Sequence, residues 1–290
     1  MIPAPFEYFA PKTLSEAIAL LQKHGPDAKI LAGGQSLIPL MKLRMASPKR
    51  LIDLNRVSGL AYIKEADGFL TIGALTRESE LDSSDLIRRK YPIIADTAAV
   101  IADPLVRNMA TIGGNLAHAD PANDHPATML ALGTEVVATG PKGARKIPIA
   151  VFFTDVFTTA LKPDEILTEI RIPIPPARSG GAYFKVERKV GDFATAAVAA
   201  QVTLEGNTCK RVGIGLTNVG PTPIKATRAE KALEGKAAEE KNIQEAARIA
   251  SEEAQPVDDL RGSADYKRSL IRVLTARALQ KAVARAKGEH

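Results

Sequence analysis

The sequence predicts an α+β protein in two parts, because strand and helix patterns mix along the chain without strict alternation. Short apolar runs next to glycine turns indicate strands, and apolar stripes with helical spacing occur near both ends of the chain. Proline and glycine cluster in PIPPARSGG (173–181), where both patterns stop. That cluster predicts a boundary, with a first part at 1–176, divided into about 1–56 and 57–176, and a smaller second part at 177–290.

The first part is expected to begin with a helix and a buried strand. Thr13 and Glu16 match a capping box, and Gly25 is placed to end the helix that they begin. The run 29–32 reads as a strand, and Ser36 is placed to cap a second helix. The later elements of the first part are a hairpin at 60–75 turning at 66–68, a helical region at 84–101, a helix opened by Asp124 through 132, and strands at 135–138, 146–149 and 165–172.

The second part is expected to hold a three-stranded antiparallel sheet followed by helices. The strands are predicted at 183–189, 194–204 and 210–217, with a turn at 206–207, and the helices at 226–233, 240–254 and 266–286.

Composition narrows the function. The net charge is +6, but aromatic residues are 4%, Trp is absent and no basic–aromatic interleaving suits base stacking. The basic clusters therefore favour solvated surface, or a face for an acidic partner chain or an anionic cofactor, over nucleic acid. Cys209 is the only cysteine, so an iron–sulfur cluster cannot be held by this chain alone. Electron chemistry would need an organic cofactor or a cluster on another chain.

Targeting signals are not evident. The first residues show no basic stretch followed by an apolar run, and no apolar stretch approaches the length of a membrane span. We therefore expect a cytoplasmic location.

Two separate Gly-Gly motifs are the strongest functional signal. AGGQS (32–36) and ATIGGN (110–115) each follow an extended segment and each carry a hydroxyl, from Ser36 and Thr111. Backbone N–H groups reach a bulky diphosphate most easily where no Cβ intervenes, and the dipole of the helix after Ser36 would add to the attraction. A single Gly-Gly is more often a tight turn, but the pair predicts two jaws on one dinucleotide. G-x-G-x-x-G and the P-loop lysine pattern are absent, so the common nucleotide folds are not supported.

Long motifs place these loops in a known context. KILAGGQSLIPLMKLRMASPKRLIDLN (29–55), IADPLVRNMATIGGNLAHADPANDHPA (101–127), FKVERKVGDFATAA (184–197), GLTNVGPTP (215–223) and RGSADYKR (261–268) resemble the medium, flavin-binding subunit of the molybdenum hydroxylase (xanthine dehydrogenase/aerobic carbon monoxide dehydrogenase) family. The similarity is greatest to the carbon monoxide dehydrogenase branch and extends through nearly the whole chain.

This resemblance implies a specific fold and assembly. It implies noncovalent FAD in a two-part domain of the vanillyl-alcohol-oxidase (PCMH) type, followed by the smaller α+β domain. Molybdopterin would lie on a large partner subunit and two-iron, two-sulfur clusters on a small one, in a heterohexamer that is a dimer of heterotrimers. Electrons would pass from substrate through the clusters to FAD and on to an external acceptor. A peripheral position of the complex at the inner membrane face is a further expectation.

The resemblance also implies cofactor-binding residues, carried over position by position, and no catalytic residue on this chain. They are Leu31, Ala32, Gly33, Gly34, Gln35 and Ser36 on the first loop, Thr111, Gly114 and Asn115 on the second, Ile101, Ala102 and Phe193 at the flavin, Ala117 and Asp124 as further contacts, with Asp124 near a cofactor hydroxyl, and Leu167 and Lys185 as later contacts.

Three chemical questions arise at or near these positions. Lys185 would place a positive charge near the flavin and favour the reduced, anionic ring. Phe193 stands where relatives often have tyrosine, so stacking is kept but a hydroxyl is lost. His118, Asp120, Asp124 and His125 have a spacing that could ligate a metal, but the resemblance places Asp124 at the flavin, and we expect no metal.

Three functions follow from these observations. The first is the electron-transferring flavin subunit. The second is a self-sufficient FAD-dependent oxidoreductase of the same superfamily, for which the second part would form a cap. The third is a basic scaffold protein without flavin, against which the intact glycine motifs speak.

Overall fold

The chain begins with a small parallel sheet of β-α-β design. The computed structural model describes residues 2–289, and its first elements are β1 (Glu7–Phe9), α1 (Leu14–His24), β2 (Ala28–Leu31), α2 (Leu37–Lys42) and β3 (Arg50–Asp53). Strands β1 and β2 both pair in parallel with β3. The predicted capping box is confirmed, because Thr13 accepts a hydrogen bond from the Glu16 N–H while the Glu16 carboxylate accepts one from the Thr13 N–H. The first Gly-Gly motif thus lies at the carboxyl end of β2, where ligands bind in open α/β sheets.

An antiparallel sheet of five strands follows. Its order is β4-β5-β10-β6-β7. The strands are β4 (Ile63–Ala66), β5 (Phe69–Gly73), β6 (Glu135–Gly140), β7 (Gly143–Pro148) and β10 (Ile166–Pro173), and a small hairpin is formed by β8 (Phe153–Asp155) and β9 (Thr158–Thr159). The predicted hairpin at 60–75 is confirmed, with left-handed Asp67 and Gly68 at its turn.

Six helices lie between β5 and β6. They are α3 (Glu78–Ser83), α4 (Asp85–Lys90), α5 (Pro92–Ala99), α6 (Pro104–Arg107), α7 (Ile112–His118) and α8 (His125–Leu132). The helical region predicted at about 84–101 is confirmed and consists of two helices, α4 and α5, because the chain breaks at Tyr91. Pro92 lacks an N–H and disfavours the helical conformation of the residue before it.

The C-terminal part is a sheet covered by helices. Its strands β11 (Ser179–Glu187), β12 (Ala194–Glu205), β13 (Thr208–Thr217) and β14 (Ile224–Lys225) pair in that order, and the helices are α9 (Thr227–Leu233), α10 (Glu240–Glu253) and α11 (Ala264–Lys287). Three strands were predicted. The fourth, β14, is two residues long and pairs antiparallel with the end of β13, and it lacks the length that gives a readable alternation.

Glycines allow helices to approach both faces of this sheet. A Cβ on Gly180 would lie 2.2 Å from the Ala282 carbonyl oxygen of α11, and one on Gly215 would lie 2.0 Å from the Ala127 carbonyl oxygen of α8. Gly213 meets the Ala131 carbonyl in the same way, at 2.0 Å. The sheet is therefore packed between α11 and the helices α5 and α8 of the first part, and its strands share a hydrophobic core with them.

Within residues 2–289, no helix is long and apolar enough to cross a membrane.

Candidate functional site

The first glycine motif presents an uninterrupted row of free donors. The backbone N–H groups of the five residues from Gly33 to Leu37 donate to no acceptor within residues 2–289. A helix start leaves its first N–H groups unpaired, and the glycine turn extends this set back from α2 to the end of β2. Such a row of donors on a partly buried turn suits an anion with several oxygens.

Each glycine of this motif is required for a different reason. A Cβ on Gly33 would lie 2.2 Å from the Met109 carbonyl oxygen and 2.7 Å from Ala110 Cα, so Gly33 permits the segment before the second motif to pack directly on the first. Gly34 has a φ of +76°, a left-handed conformation that favours glycine. The motif is thus shaped both by the neighbouring backbone and by its own turn.

Two expectations about the residues after Gly34 need correction. Ser36 lies at the N-cap of α2, but its side chain accepts no capping hydrogen bond, because its backbone (φ −105°, ψ −49°) has left the extended conformation of a capping residue. Helix α2 is only six residues long, so its dipole adds little beyond the N–H groups themselves.

The second glycine motif is the start of a helix and not an open loop. Thr111 caps α7, and its hydroxyl accepts a hydrogen bond from the Gly114 N–H at 3.1 Å. The N–H groups of Ile112 and Gly113 donate to the carbonyls of Thr76 and Ala74. Gly113 is packed against Ala74, where a Cβ would lie 2.5 Å from the Ala74 carbonyl oxygen. The two motifs therefore contribute unequally, with most free donors on the first.

The motifs nevertheless meet. A Cβ on Gly114 would lie 3.8 Å from the Ala32 Cβ. A relay that the sequence did not indicate also connects them: the Asn55 amide donates to the Ala32 carbonyl at 2.9 Å, and Arg77 donates to Asn55 Oδ1 at 2.6 Å and to the Met109 carbonyl. This relay ties the Met109 carbonyl directly to the Arg77 guanidinium, and the Ala32 carbonyl to it through the Asn55 side chain. Asn55 falls at the end of the first family motif, but no local pattern distinguishes Arg77.

Ile101 and Ala102 form a strained segment held by cations. Ala102 has a φ of +46°, and the carbonyls of Ile101 and Ala102 accept hydrogen bonds of 3.1 and 3.2 Å from Arg107. The Lys185 ammonium donates to the carbonyl of the preceding residue, Val100, at 3.1 Å. A left-handed alanine costs about 1–2 kcal/mol, whereas each hydrogen bond from a charged donor contributes about 1.5–3 kcal/mol. The Arg107 contacts are therefore sufficient to hold the strained conformation.

Lys185 is the centre of a buried charge cluster. Its ammonium lies 3.1 Å from an oxygen of Asp124 and 3.1 Å from one of Glu187, and the lysine side chain is 1% exposed. Two carboxylates thus lie beside the single cation, so the positive charge that Lys185 brings to this region is paired. The positive charge was visible in the sequence, but its partners come from α8 and from its own strand β11.

Asp124 makes a buried hydrogen bond as well as the ion pair with Lys185. It stands at the start of α8, but its carboxylate does not cap the helix and accepts a 2.6 Å hydrogen bond from the Tyr183 hydroxyl. Burial raises the pKa of Asp124, while Lys185 and Tyr183 oppose that rise. Burial and the nearby Asp124 charge raise the pKa of Tyr183 well above its usual value, so its hydroxyl stays protonated and remains a donor.

The segment that carries Phe193 is joined to this cluster. Glu187 accepts a hydrogen bond of 3.1 Å from the Gly191 N–H, and a Cβ on Gly191 would lie 2.9 Å from the Ala102 carbonyl oxygen. Phe193 itself is 44% exposed, with the Arg261 guanidinium 5.7 Å from its ring centre. Phe193, two residues after the glycine that approaches Ala102, offers an exposed aromatic face for stacking.

The remaining predicted residues lie on α7 or on the strand β10. Ala117 is exposed on this helix, and the Asn115 carbonyl accepts a hydrogen bond of 2.9 Å from the Asn123 amide. Leu167 is buried on β10, and the next residue, Thr168, accepts a hydrogen bond from the Ala74 N–H on which α7 rests. Ala117 therefore lies on the helix of the second motif, and Leu167 lies next to the residue that bonds to the backbone on which this helix rests.

Of the four residues considered as metal ligands, His125 and Asp124 have partners outside the set, whereas His118 and Asp120 face each other. His125 is fully buried and lies 2.7 Å from Glu78, whereas Asp124 faces Lys185. His118 lies 4.0 Å from Asp120, and burial lowers the pKa of its imidazole against the opposing charge of Asp120. Among residues 2–289, no three His, Cys, Asp or Glu side chains are grouped as metal ligands.

The residues present fit a dinucleotide. The row of N–H groups suits a diphosphate, and exposed Phe193 offers an aromatic face to a planar ring. This arrangement is suited to binding and positioning a redox cofactor. Fold and site together define the cofactor-binding subunit of an oxidoreductase.

Comparison with known proteins specifies that class. Residues 4–175 match the family described as FAD binding domain in molybdopterin dehydrogenase, and residues 181–282 match CO dehydrogenase flavoprotein C-terminal domain. The carbon monoxide dehydrogenase medium chain of Afipia carboxidovorans is 46% identical over 99% of this chain and 100% of its own. The glyceraldehyde dehydrogenase medium chain of Sulfolobus acidocaldarius is 36% identical over 97% and 99%.

Comparison with solved structures leads to the same class of protein. A chain of carbon monoxide dehydrogenase from Hydrogenophaga pseudoflava superimposes with a TM-score of 0.96 and 47% identity, covering 98% of this chain and 99% of that one. A chain of quinoline 2-oxidoreductase from Pseudomonas putida superimposes with a TM-score of 0.92 and 34% identity, covering 99% of each. The chain therefore belongs to the FAD-binding medium subunits of the multi-subunit molybdenum hydroxylases. The expected fold, cofactor and electron-transfer function are confirmed, in preference to a self-sufficient oxidoreductase.

Proposed function

We propose that this chain holds FAD with the diphosphate on the N–H groups of residues 33–37, and with the isoalloxazine ring between the Ile101–Ala102 segment and Phe193. The row of free donors is the observation that carries this proposal. Hydrogen bonds to charged oxygens contribute about 1.5–3 kcal/mol each, so several of them offset the desolvation of the anion. The residues that the family motifs assigned to the cofactor are proposed to line this one site.

The task of the protein is mainly positional. FAD, when bound, accepts electrons from the clusters of a partner subunit and delivers them to an external acceptor. The chain contributes the geometry, through the backbone N–H groups of the first motif and through the segment at Ala102 that Arg107 holds in place. Cys209 is buried in the core of the C-terminal part, so it is not placed to ligate a cluster at an interface.

Substrate selection belongs to another subunit. Relatives named for carbon monoxide, glyceraldehyde and caffeine match at least 97% of this chain, at 46%, 36% and 32% identity. Since the same fold serves such different substrates, we infer that this chain does not touch them. We also propose a large molybdopterin subunit and a small iron–sulfur subunit as partners, because relatives are named as medium chains of dehydrogenases. A dimer of heterotrimers, a cytoplasmic location and a domain boundary at 176/177 are part of the same proposal.

Purification of the complex tests this function. Co-expressed with its partner subunits, the chain should yield a complex with stoichiometric FAD that reduces an acceptor when substrate is added. The chain separated from its partners should not oxidise that substrate, with or without added FAD. Turnover by the separated chain would favour a self-sufficient enzyme, and a colourless complex that cannot be reconstituted with FAD would favour a scaffold.

A further inference from the structure

We propose that Arg107 is a positioning residue of the flavin site. It holds Ala102 in its left-handed conformation and so sets the reduction potential of the ring. This inference rests on the proposed function, because Ile101 and Ala102 reach the flavin only through that assignment.

The geometry joins three consecutive carbonyls to two cations. Lys185 donates to the Val100 carbonyl, and Arg107 donates to those of Ile101 and Ala102, at 3.1, 3.1 and 3.2 Å respectively. Arg107 ends the short helix α6 and its side chain folds back to the residues before that helix, where it is 17% exposed. The guanidinium fork can contact two carbonyls at once, which a lysine ammonium does less well.

We call the contacts of Arg107 with the Ile101 and Ala102 carbonyls the clamp. Because the clamp holds these carbonyls, the N–H groups on the opposite sides of the same peptides point outward. The N–H groups of Ala102 and Asp103 donate to no acceptor within residues 2–289. A left-handed residue turns successive N–H groups toward one side, a geometry that favours negative charge. Held carbonyls therefore leave a donor pair for the ring, and such a pair favours the reduced, negatively charged form over the oxidised one.

Backbone strain supports this assignment. Strained conformations persist where the surroundings over-determine them, and they concentrate at functional sites. Ala102 is held from the carbonyl side by Arg107 and packed by Gly191, which itself has a φ of +82°. Two unusual backbone positions in direct contact beside Phe193 indicate that this conformation serves the site.

Arg107→Met in the FAD-loaded complex is the first test. We expect FAD affinity to fall roughly 10- to 100-fold, because the strained segment relaxes. We also expect the midpoint potential to become more negative by about 30 mV for each tenfold loss of preference for the reduced ring. Arg89→Met is the matched control, because Arg89 pairs with Asp85 on the exposed surface of α4 and should leave both values unchanged.

A double-mutant cycle with Ala102→Gly separates the clamp from a general loss of charge. Glycine takes a positive φ at little cost, so Arg107→Met should reduce FAD affinity and potential much less in the Ala102→Gly background. Arg107→Lys keeps the charge but loses the fork, and should give intermediate values.

The outcomes are distinct. Equal losses from Arg107→Met in both backgrounds, or full recovery with lysine, would overturn the positional role. An unchanged potential in a folded Arg107→Met complex would do the same. If the wild-type complex holds no FAD at all, the proposed function fails, whatever Arg107 does.

Discussion

Gly33→Ala is the perturbation that most directly tests how the two glycine motifs form one site. The added Cβ would lie 2.2 Å from the Met109 carbonyl oxygen and 2.7 Å from Ala110 Cα. Both neighbours are backbone atoms, so no side chain can move aside. Ordinary carbon contacts need about 3.5 Å, and the two segments must therefore separate by about 1 Å.

The expected magnitude follows from the donor row. A displacement of this size removes good geometry from at least two of the N–H groups between Gly33 and Leu37, at about 1.5–3 kcal/mol for each bond to a charged oxygen. Affinity for FAD should then fall by about 100-fold or more. Overpacking adds about 1–3 kcal/mol of lost folding stability.

Titration of FAD into the flavin-depleted complex, followed by flavin fluorescence, measures this loss. Gly68→Ala is the matched control: Gly68 has a φ of +78° at a hairpin turn, and a Cβ there meets nothing within 4 Å. It should lower stability by about 1 kcal/mol through backbone strain and leave FAD affinity unchanged. Unaltered affinity in Gly33→Ala would refute the reasoning, as would equal losses in the two variants.

Three further predictions concern stability and pH. Lys185→Met should lower the free energy of unfolding by about 3–5 kcal/mol in denaturant titration, because Asp124 is left buried without its cation, and adding Asp124→Asn should recover part of the loss. Gly215→Ala should lower the melting temperature in calorimetry by several degrees, because its Cβ would lie 2.0 Å from a carbonyl oxygen of α8, and an unchanged value would contradict the packing described. Arg145→Gln should cost about 1 kcal/mol near pH 7, because bidentate hydrogen bonds of 2.7 and 2.8 Å lower the pKa of the Glu165 carboxyl. A carboxyl whose pKa is lowered by folding stabilises the protein at pH values above its ordinary pKa, and this stabilisation is lost as the pH falls. The free energies of unfolding of the wild type and of Arg145→Gln should therefore converge near pH 3, and a difference that stays constant with pH would count against this ion pair.

Local signals in the sequence predicted much of the fold. The capping box at Thr13, the hairpin turn at Asp67-Gly68 and the strands after the boundary depend on neighbouring residues, and they form as expected. The sequence-based predictions failed where contacts between residues far apart in the sequence determine the structure. The two-residue strand β14 exists only because β13 pairs with it, and no alternation of residues in so short a segment could show it.

The site was predicted less completely, for the same reason. Glycine pairs can be read from the sequence, but not the partner of each glycine: Gly33 faces Met109, and Gly113 faces Ala74. The charge of Lys185 can be read, but its neutralisation by Asp124 requires the fold. Gly213 and Gly215 have a packing role against α8 that no local pattern in the sequence indicates.

The central claim is that a row of backbone N–H groups receives the diphosphate. A crystal structure of the complex with FAD measures this directly, through the distances between the diphosphate oxygens and the backbone nitrogens of residues 33–37. We predict several of these distances near 3 Å, with α7 closing the site from the other side. A diphosphate held elsewhere, with these nitrogens bonded to water or protein, would contradict the account.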